Sequence, residues 1–118
     1  MVKNKRMVGA EKESIAADYL IQKGYTLLER NFCCRTGEID LIAKEGNYLV
    51  FIEVKYRANR RFGIPEEAVT REKQRSIIRT AQFYLLRQNI PESTPCRFDV
   101  VAVEKEEIRL VKNAFEII

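Results

Sequence analysis

Asp40, Glu53 and Lys55 stand inside two apolar runs, in the stretch GEIDLIAKEGNYLVFIEVKYR (residues 37–57). Charge inside strands is expensive to bury unless it is paired or put to use. Gly46-Asn47, between the runs, is a hairpin turn signal and predicts strands over 38–44 and 48–56. With a two-residue turn Glu45 faces Tyr48, and counting back along both strands puts Asp40 directly opposite Glu53. Their Cβ atoms are then expected about 4.5–5.5 Å apart on one face of the sheet. Lys55, two residues beyond Glu53, points to the same face.

A wet sheet face would account for alternating polar residues. The face of Glu53 and Lys55, however, also carries Leu49 and Phe51, while Val50, Ile52 and Val54 line the other. The neighbouring strand is expected to place Ile39, Leu41 and Ala43 on one side and Ile42 on the other. Both strands therefore read as central and covered on both faces, with the charges gathered at one end. Facing carboxylates repel, and one lysine neutralises at most one of them. A divalent cation would resolve the conflict: two carboxylates, a carbonyl and several waters suit Mg²⁺. The other reading is a partly solvated salt-bridge cluster with no chemistry.

The elements that must position these groups follow from the rest of the chain. Its 118 residues suffice for one domain, 1–118, with residues 1–8 expected to be disordered. A composition 46% hydrophobic and 32% charged is globular. The predicted order is α-β-β-β-α-β-β, an α/β fold with a mixed central sheet flanked by helices. A helix is predicted over 9–23, with Ile15, Ala16, Tyr19 and Leu20 on one face and Gly24 as its stop. A strand follows over 25–32, then the hairpin, then the basic loop RANRRFGI. Pro65 marks one helix start and Thr70 a second, opening a long helix to about residue 88 with Ile77, Ile78, Ala81, Tyr84 and Leu85 as its buried stripe. Strands over CRFDVVAVEK and EIRLVK close the chain, and Asp99 beside Arg97 reads first as a structural ion pair.

The chain contains no histidine, which rules out Ser-His-Asp, Cys-His and imidazole-base mechanisms. Cys33, Cys34 and Cys96 have neither C-x-x-C spacing nor a histidine to complete a zinc site, and read as reduced thiols. The basic N-terminus is followed by no apolar stretch, and no run approaches a membrane span, so a cytoplasmic protein is expected. The net charge of +4 admits a polyanionic partner. Arg57, Arg60 and Arg61 follow the acidic pair, and Arg71, Lys73, Arg75 and Arg79 make a basic helix face; about half of them read as ordinary solvated charges, and their position beside the carboxylates is what points to phosphate contact. Tyr56 and Phe62 could stack on bases but read more simply as core.

Together these residues resemble a known family. D-x(n)-E-x-K across a hairpin, preceded by a helix carrying a glutamate, is the signature of the PD-(D/E)xK nucleases. These form the restriction-endonuclease-like superfamily, which includes the archaeal Holliday-junction resolvases. More closely, the chain resembles the small bacterial YraN family of that superfamily, from about Gly9 to Val103. The resemblance rests on E-x-x-A-x-x-Y-L (Glu13, Ala16, Tyr19, Leu20), G-E-I-D-L-I-A (37–43), F-I-E-V-K-Y-R (51–57), the helix around Lys73 and Gln74, and R-F-D-V-V (97–101).

The resemblance implies a metal-dependent DNA endonuclease, with branched or Holliday-junction DNA as one substrate class. Asp40, Glu53 and the carbonyl of Val54 would ligate Mg²⁺ or Mn²⁺, and Lys55 would position or activate the attacking water. Glu13 would complete the acidic cluster. Glu38, sharing the face of Asp40, is ambiguous. Arg57, Arg60, Arg61, Lys73, Gln74 and Arg75 would contact DNA. A resolvase cutting two strands symmetrically would need a C₂ homodimer. Ile39 replaces the superfamily's proline, and Lys12 stands where the family usually has glycine, which loosens the placement of Glu13. The alternative reading is a nucleic-acid-binding or partner-binding module that keeps the fold without turnover.

Overall fold

The computed structural model of the chain describes residues 5–57, 69–105 and 107–116, with side chains from residue 11 onward. The element order is α1 (Lys5–Gln22), β1 (Thr26–Cys34), β2 (Gly37–Glu45), β3 (Tyr48–Arg57), α2 (Arg71–Arg87), β4 (Cys96–Glu104) and β5 (Glu107–Phe115). This is the predicted order. The five strands form one sheet in sequence order, antiparallel except for β3 against β4, which are parallel and joined through α2. The fold is the α/β, restriction-endonuclease-like arrangement expected. Arg60, Arg61, Phe62 and the helix start at Pro65 lie outside the described residues.

α1 begins at Lys5 rather than at the expected Gly9, and residues 1–4 lie outside the described residues. A mid-helix glycine costs only about 1 kcal/mol relative to alanine, too little to stop a helix. The helix ends where expected. Gly24 takes φ 97°, its N–H donates to the carbonyl of Ile21 (3.1 Å), and the Tyr25 N–H donates to that of Leu20 (3.0 Å). That pattern is a Schellman cap. The buried stripe differs from the one expected: Ala16, Ala17 and Leu20 are fully buried, whereas Ile15 faces solvent. The inward line therefore runs 13, 16, 17, 20, at helical spacing, and Glu13 lies on it.

Each face of the sheet is covered by one helix. Ala16, Ala17 and Leu20 of α1 pack on Leu41, Ala43, Val50, Ile52, Val101 and Val103. Ile77, Ala81 and Tyr84 of α2 pack on Phe32, Ile39, Ile42, Phe51, Phe98 and Val100. The Tyr84 ring meets Phe32 and Phe51 edge-on, at 5.1 and 5.9 Å between centroids. Ile78 and Leu85 are half-buried beside this core, so the expected stripe on α2 holds. Thr70 caps the helix by accepting the Lys73 N–H at 3.2 Å.

One reading of β2 needs correction. Ile39 was expected to share a face with Leu41 and Ala43, yet it packs with Ile42 against α2 while Leu41 and Ala43 face α1. The in–out alternation slips by one residue at Asp40.

Arg97 and Asp99 form the structural pair expected. Asp99, fully buried, accepts from Arg97 Nε (2.9 Å) and a terminal guanidinium nitrogen (2.9 Å), Tyr25 Oη (2.8 Å) and the Asn113 N–H (3.0 Å). A second contact clamps α2 to the sheet: Ser76 Oγ donates to the Thr36 carbonyl at 2.8 Å, directly over Gly37. Gly37 takes φ 146°, and a Cβ there would collide with Ser76 Oγ. Gly37→Ala is expected to lower stability by about 2–4 kcal/mol, combining backbone strain with overpacking, measured by urea unfolding. An unchanged midpoint would refute the close approach.

Candidate active site

The hairpin has the predicted register. β2 and β3 pair from Glu45↔Tyr48 through Leu41↔Ile52, around a turn in which Gly46 takes φ 57°. The pairing ends one step before Asp40 and Glu53. The two are therefore not the regular facing pair that the hairpin count predicts. Instead the slip at Asp40 frees its carboxylate to cross to the next strand, where it accepts the Val54 N–H at 2.8 Å. The side chain replaces a ladder bond and holds the two strands at the point where they part.

Glu53 is 5% exposed, although it sits beyond the last β2–β3 pair. Its Oε1 lies 3.3 Å from Lys55 Nζ and 3.8 Å from Lys73 Nζ. The second contact was not foreseen: Lys73 was expected on the outer, DNA-facing surface. It lies in the first turn of α2, where side chains lean back toward the helix N-terminus, and that brings it onto the carboxylate. No sequence spacing links Lys73 to Glu53. The link exists only because α2 is docked on this face of the sheet.

Glu13 enters from the opposite helix. Its Oε1 is buried without a hydrogen-bond partner, and Asp40, Glu38 and Glu53 lie near enough for their charges to act on one another. Glu38, exposed at the rim, accepts a long 3.5 Å contact from the Cys33 thiol. The three cysteines are free, as expected. Lys12, the residue that departs from the family pattern, holds its ammonium 4.5 Å from the Tyr56 ring centroid. That contact fixes the helix segment carrying Glu13 against β3, and it uses Tyr56 structurally.

The outlying residues divide. Arg57 is half-buried with its Nε unpartnered, and Arg75 is exposed. Gln74 is engaged in structure, its side-chain amide donating to the Val69 carbonyl at 3.1 Å.

The electrostatics follow from this crowding. Burial pushes the Asp40 carboxyl up to about 7; the Glu53 charge adds to the rise, and the Val54 N–H opposes it. Glu53 is also raised, first by burial, with Lys73 and Lys55 pulling it back. Burial raises Glu13, reinforced by Glu38 and Glu53. The contrast with Asp99 is informative. Asp99 has four short donors, whereas Glu53 has two longer lysine contacts and Glu13 an orphaned oxygen.

Among the described residues no group of three or more histidine, cysteine, aspartate or glutamate side chains is arranged to hold a metal ion. Asp40 and Glu53 offer oxygen donors alone, and a hard cation such as Mg²⁺ can be held by one or two carboxylates while keeping several of its waters.

A mixed α/β sheet whose central strands end in two carboxylates and a lysine is the restriction-endonuclease-like architecture. The chain belongs to the uncharacterised protein family UPF0102, whose family model matches residues 12–103. A UPF0102 protein of Lachnoclostridium phytofermentans is 60% identical over 113 residues, covering 96% of both chains. One from Symbiobacterium thermophilum is 50% identical, covering 93% of this chain and 97% of its own. One from Clostridium botulinum is 47% identical, covering 93% and 94%.

The raised Asp40 carboxyl has a consequence for stability. Its folded-state pKa of about 7 lies above the ordinary 3.8, so the native form binds more protons between those values. Stability therefore falls as pH rises through that window. In metal-free protein Asp40→Asn keeps an acceptor for the Val54 N–H and removes the charge. It should raise stability at pH 8 by about 1–2 kcal/mol, with the gain vanishing near pH 4. Urea titrations at both pH values measure this, and equal stability at pH 8 would contradict the crowding of the acids.

Proposed function

We propose that this protein is a Mg²⁺- or Mn²⁺-dependent DNA endonuclease that hydrolyses phosphodiester bonds, with branched DNA among its substrates. One observation carries the reading: Asp40 and Glu53 are held together, half-buried and buried, at the strand ends with Lys55 on Glu53. Burial raises both carboxyls, whereas Asp99, the buried acid of the structural network, is met by four donors.

Asp40 and Glu53 would hold the cation, with the Val54 carbonyl as a further ligand and Glu13 beside them through bound water. The bound cation would supply charge neutralisation on the phosphate and a more acidic water. Asp40 keeps its carboxylate aimed by the Val54 N–H. Lys55 supplies a cation and proton donors for the phosphate oxygens and orients the attacking water. No step requires histidine. Arg57, half-buried, and Arg75, exposed, would contact flanking phosphates, and Arg60 and Arg61 would add to them. Recognition through backbone contacts favours DNA shape over sequence. Symmetric cutting of a junction would need a C₂ homodimer. A cytoplasmic location suits such a substrate, and no helix among the described residues is long and apolar enough to cross a membrane.

The alternative is a nucleic-acid-binding or partner-binding module. It draws on the two lysines that already offset Glu53 without a cation. Cleavage of linear, single-stranded, flapped and four-way substrates with Mg²⁺ or Mn²⁺ separates the two. Asp40→Ala and Lys55→Ala should each reduce the rate by roughly 10²–10⁴-fold while DNA binding stays within a few-fold. Binding without cleavage of any substrate by the wild type would leave the module reading.

A further inference from the structure

We propose that Lys73 is a second cationic catalytic residue, resting on Glu53 in the free protein and transferring to the scissile phosphate when a divalent cation takes over that carboxylate. The proposal rests on the nuclease reading and adds to it a residue from the opposite side of the core.

The geometry has three parts. Lys55 and Lys73 reach the same oxygen of Glu53, at 3.3 and 3.8 Å, one from β3 and the other from the first turn of α2. They therefore flank the carboxylate from different elements. Next, Lys73 is the more open of the two, its side chain 39% exposed against 24% for Lys55. It can swing outward without breaking the core, because its backbone is fixed independently by the Thr70 cap. Finally, Glu53 is almost fully buried, so a cation that takes it over meets both ammonium groups at once.

A divalent cation on Asp40 and Glu53 repels both ammonium groups. Lys55 is held by its strand beside the reacting centre. Lys73 is free to move to the nearest anion, and a bound phosphodiester supplies it at the mouth of the site. Its charge would then bear on the phosphate oxygens as negative charge develops there, where a preorganised cation contributes most. In the free protein the same lysine offsets part of the Glu53 charge. A lysine suits this exchange better than an arginine, being a compact charge on a flexible stem.

The test compares wild type with Lys73→Ala, Lys73→Arg and Arg87→Gln. Arg87, exposed in the last turn of α2, controls for loss of one positive charge. Three quantities are read: single-turnover cleavage at saturating DNA, DNA affinity, and Mn²⁺ affinity without DNA by electron paramagnetic resonance. Lys73→Ala should slow single-turnover cleavage about 10²-fold with DNA affinity changed less than about threefold. It should also tighten Mn²⁺ binding by about three- to tenfold, because a competing cation has left Glu53. Lys73→Arg, which keeps the charge on a bulkier head, should recover only part of the rate, and Arg87→Gln should match wild type.

A Lys73→Ala protein that loses DNA affinity but cuts at the wild-type rate when saturated would overturn the proposal, leaving an ordinary phosphate contact. If the wild type cuts nothing, the nuclease reading fails by itself. The Mn²⁺ measurement then still decides whether Lys73 occupies the cation's place: tighter binding in Lys73→Ala supports that, and unchanged binding refutes it.

Discussion

The rest of the structure is organised around the burial of negative charge where β2 and β3 part. A carboxylate removed from water must find donors, a counter-charge or a proton. Asp40 finds one backbone N–H, Glu53 finds two lysines, and Glu13 keeps a buried oxygen with no partner. None of these arrangements completes what ionised oxygens can accept, which is why burial raises all three groups. The strain is local and is tolerated because the surrounding sheet is covered on both faces by aliphatic and aromatic packing.

The two halves of the molecule treat charge differently. On the α1 face Asp99 is enclosed by Arg97, Tyr25 and the Asn113 backbone, and Arg97 reaches on to Glu45 at 2.8 Å, which in turn takes Lys112. That chain of short contacts is closed and fixes β4, β5 and the start of β1 to one another. The acidic cluster at the other end of β3 is open. A closed network rigidifies, whereas an open one leaves acceptor capacity unmet. The same chain thus holds one buried acid met by four donors and a cluster of acids that are incompletely met.

Both helices matter to the site as much as the hairpin does. α1 delivers Glu13 because its inward stripe includes that position and turns Ile15 outward. α2 delivers Lys73 because Thr70 fixes where the first turn begins and Ser76 seats the helix over Gly37. The site is therefore assembled by packing on two opposite faces of one sheet. Its geometry depends on how both helices dock, through contacts that lie outside it.

The sequence by itself determined the element order, the hairpin register, the helix ends at Gly24 and Thr70, and the Arg97–Asp99 pair. Those features depend on turn chemistry, capping and side-chain periodicity within a few residues, which are local and leave marks in the residue types. It also singled out Asp40, Glu53 and Lys55, because charges in strands apolar on both faces are conspicuous. The tertiary structure alone decided the rest: the slip that turns Asp40 onto the Val54 N–H, the rotation of α1 that brings Glu13 inward, and the reach of Lys73 to Glu53. Each of these depends on how a helix or strand settles against partners distant in the chain. A rotation of one helical position, or a slip of one residue, exchanges inside for outside without changing the pattern from which the element was read.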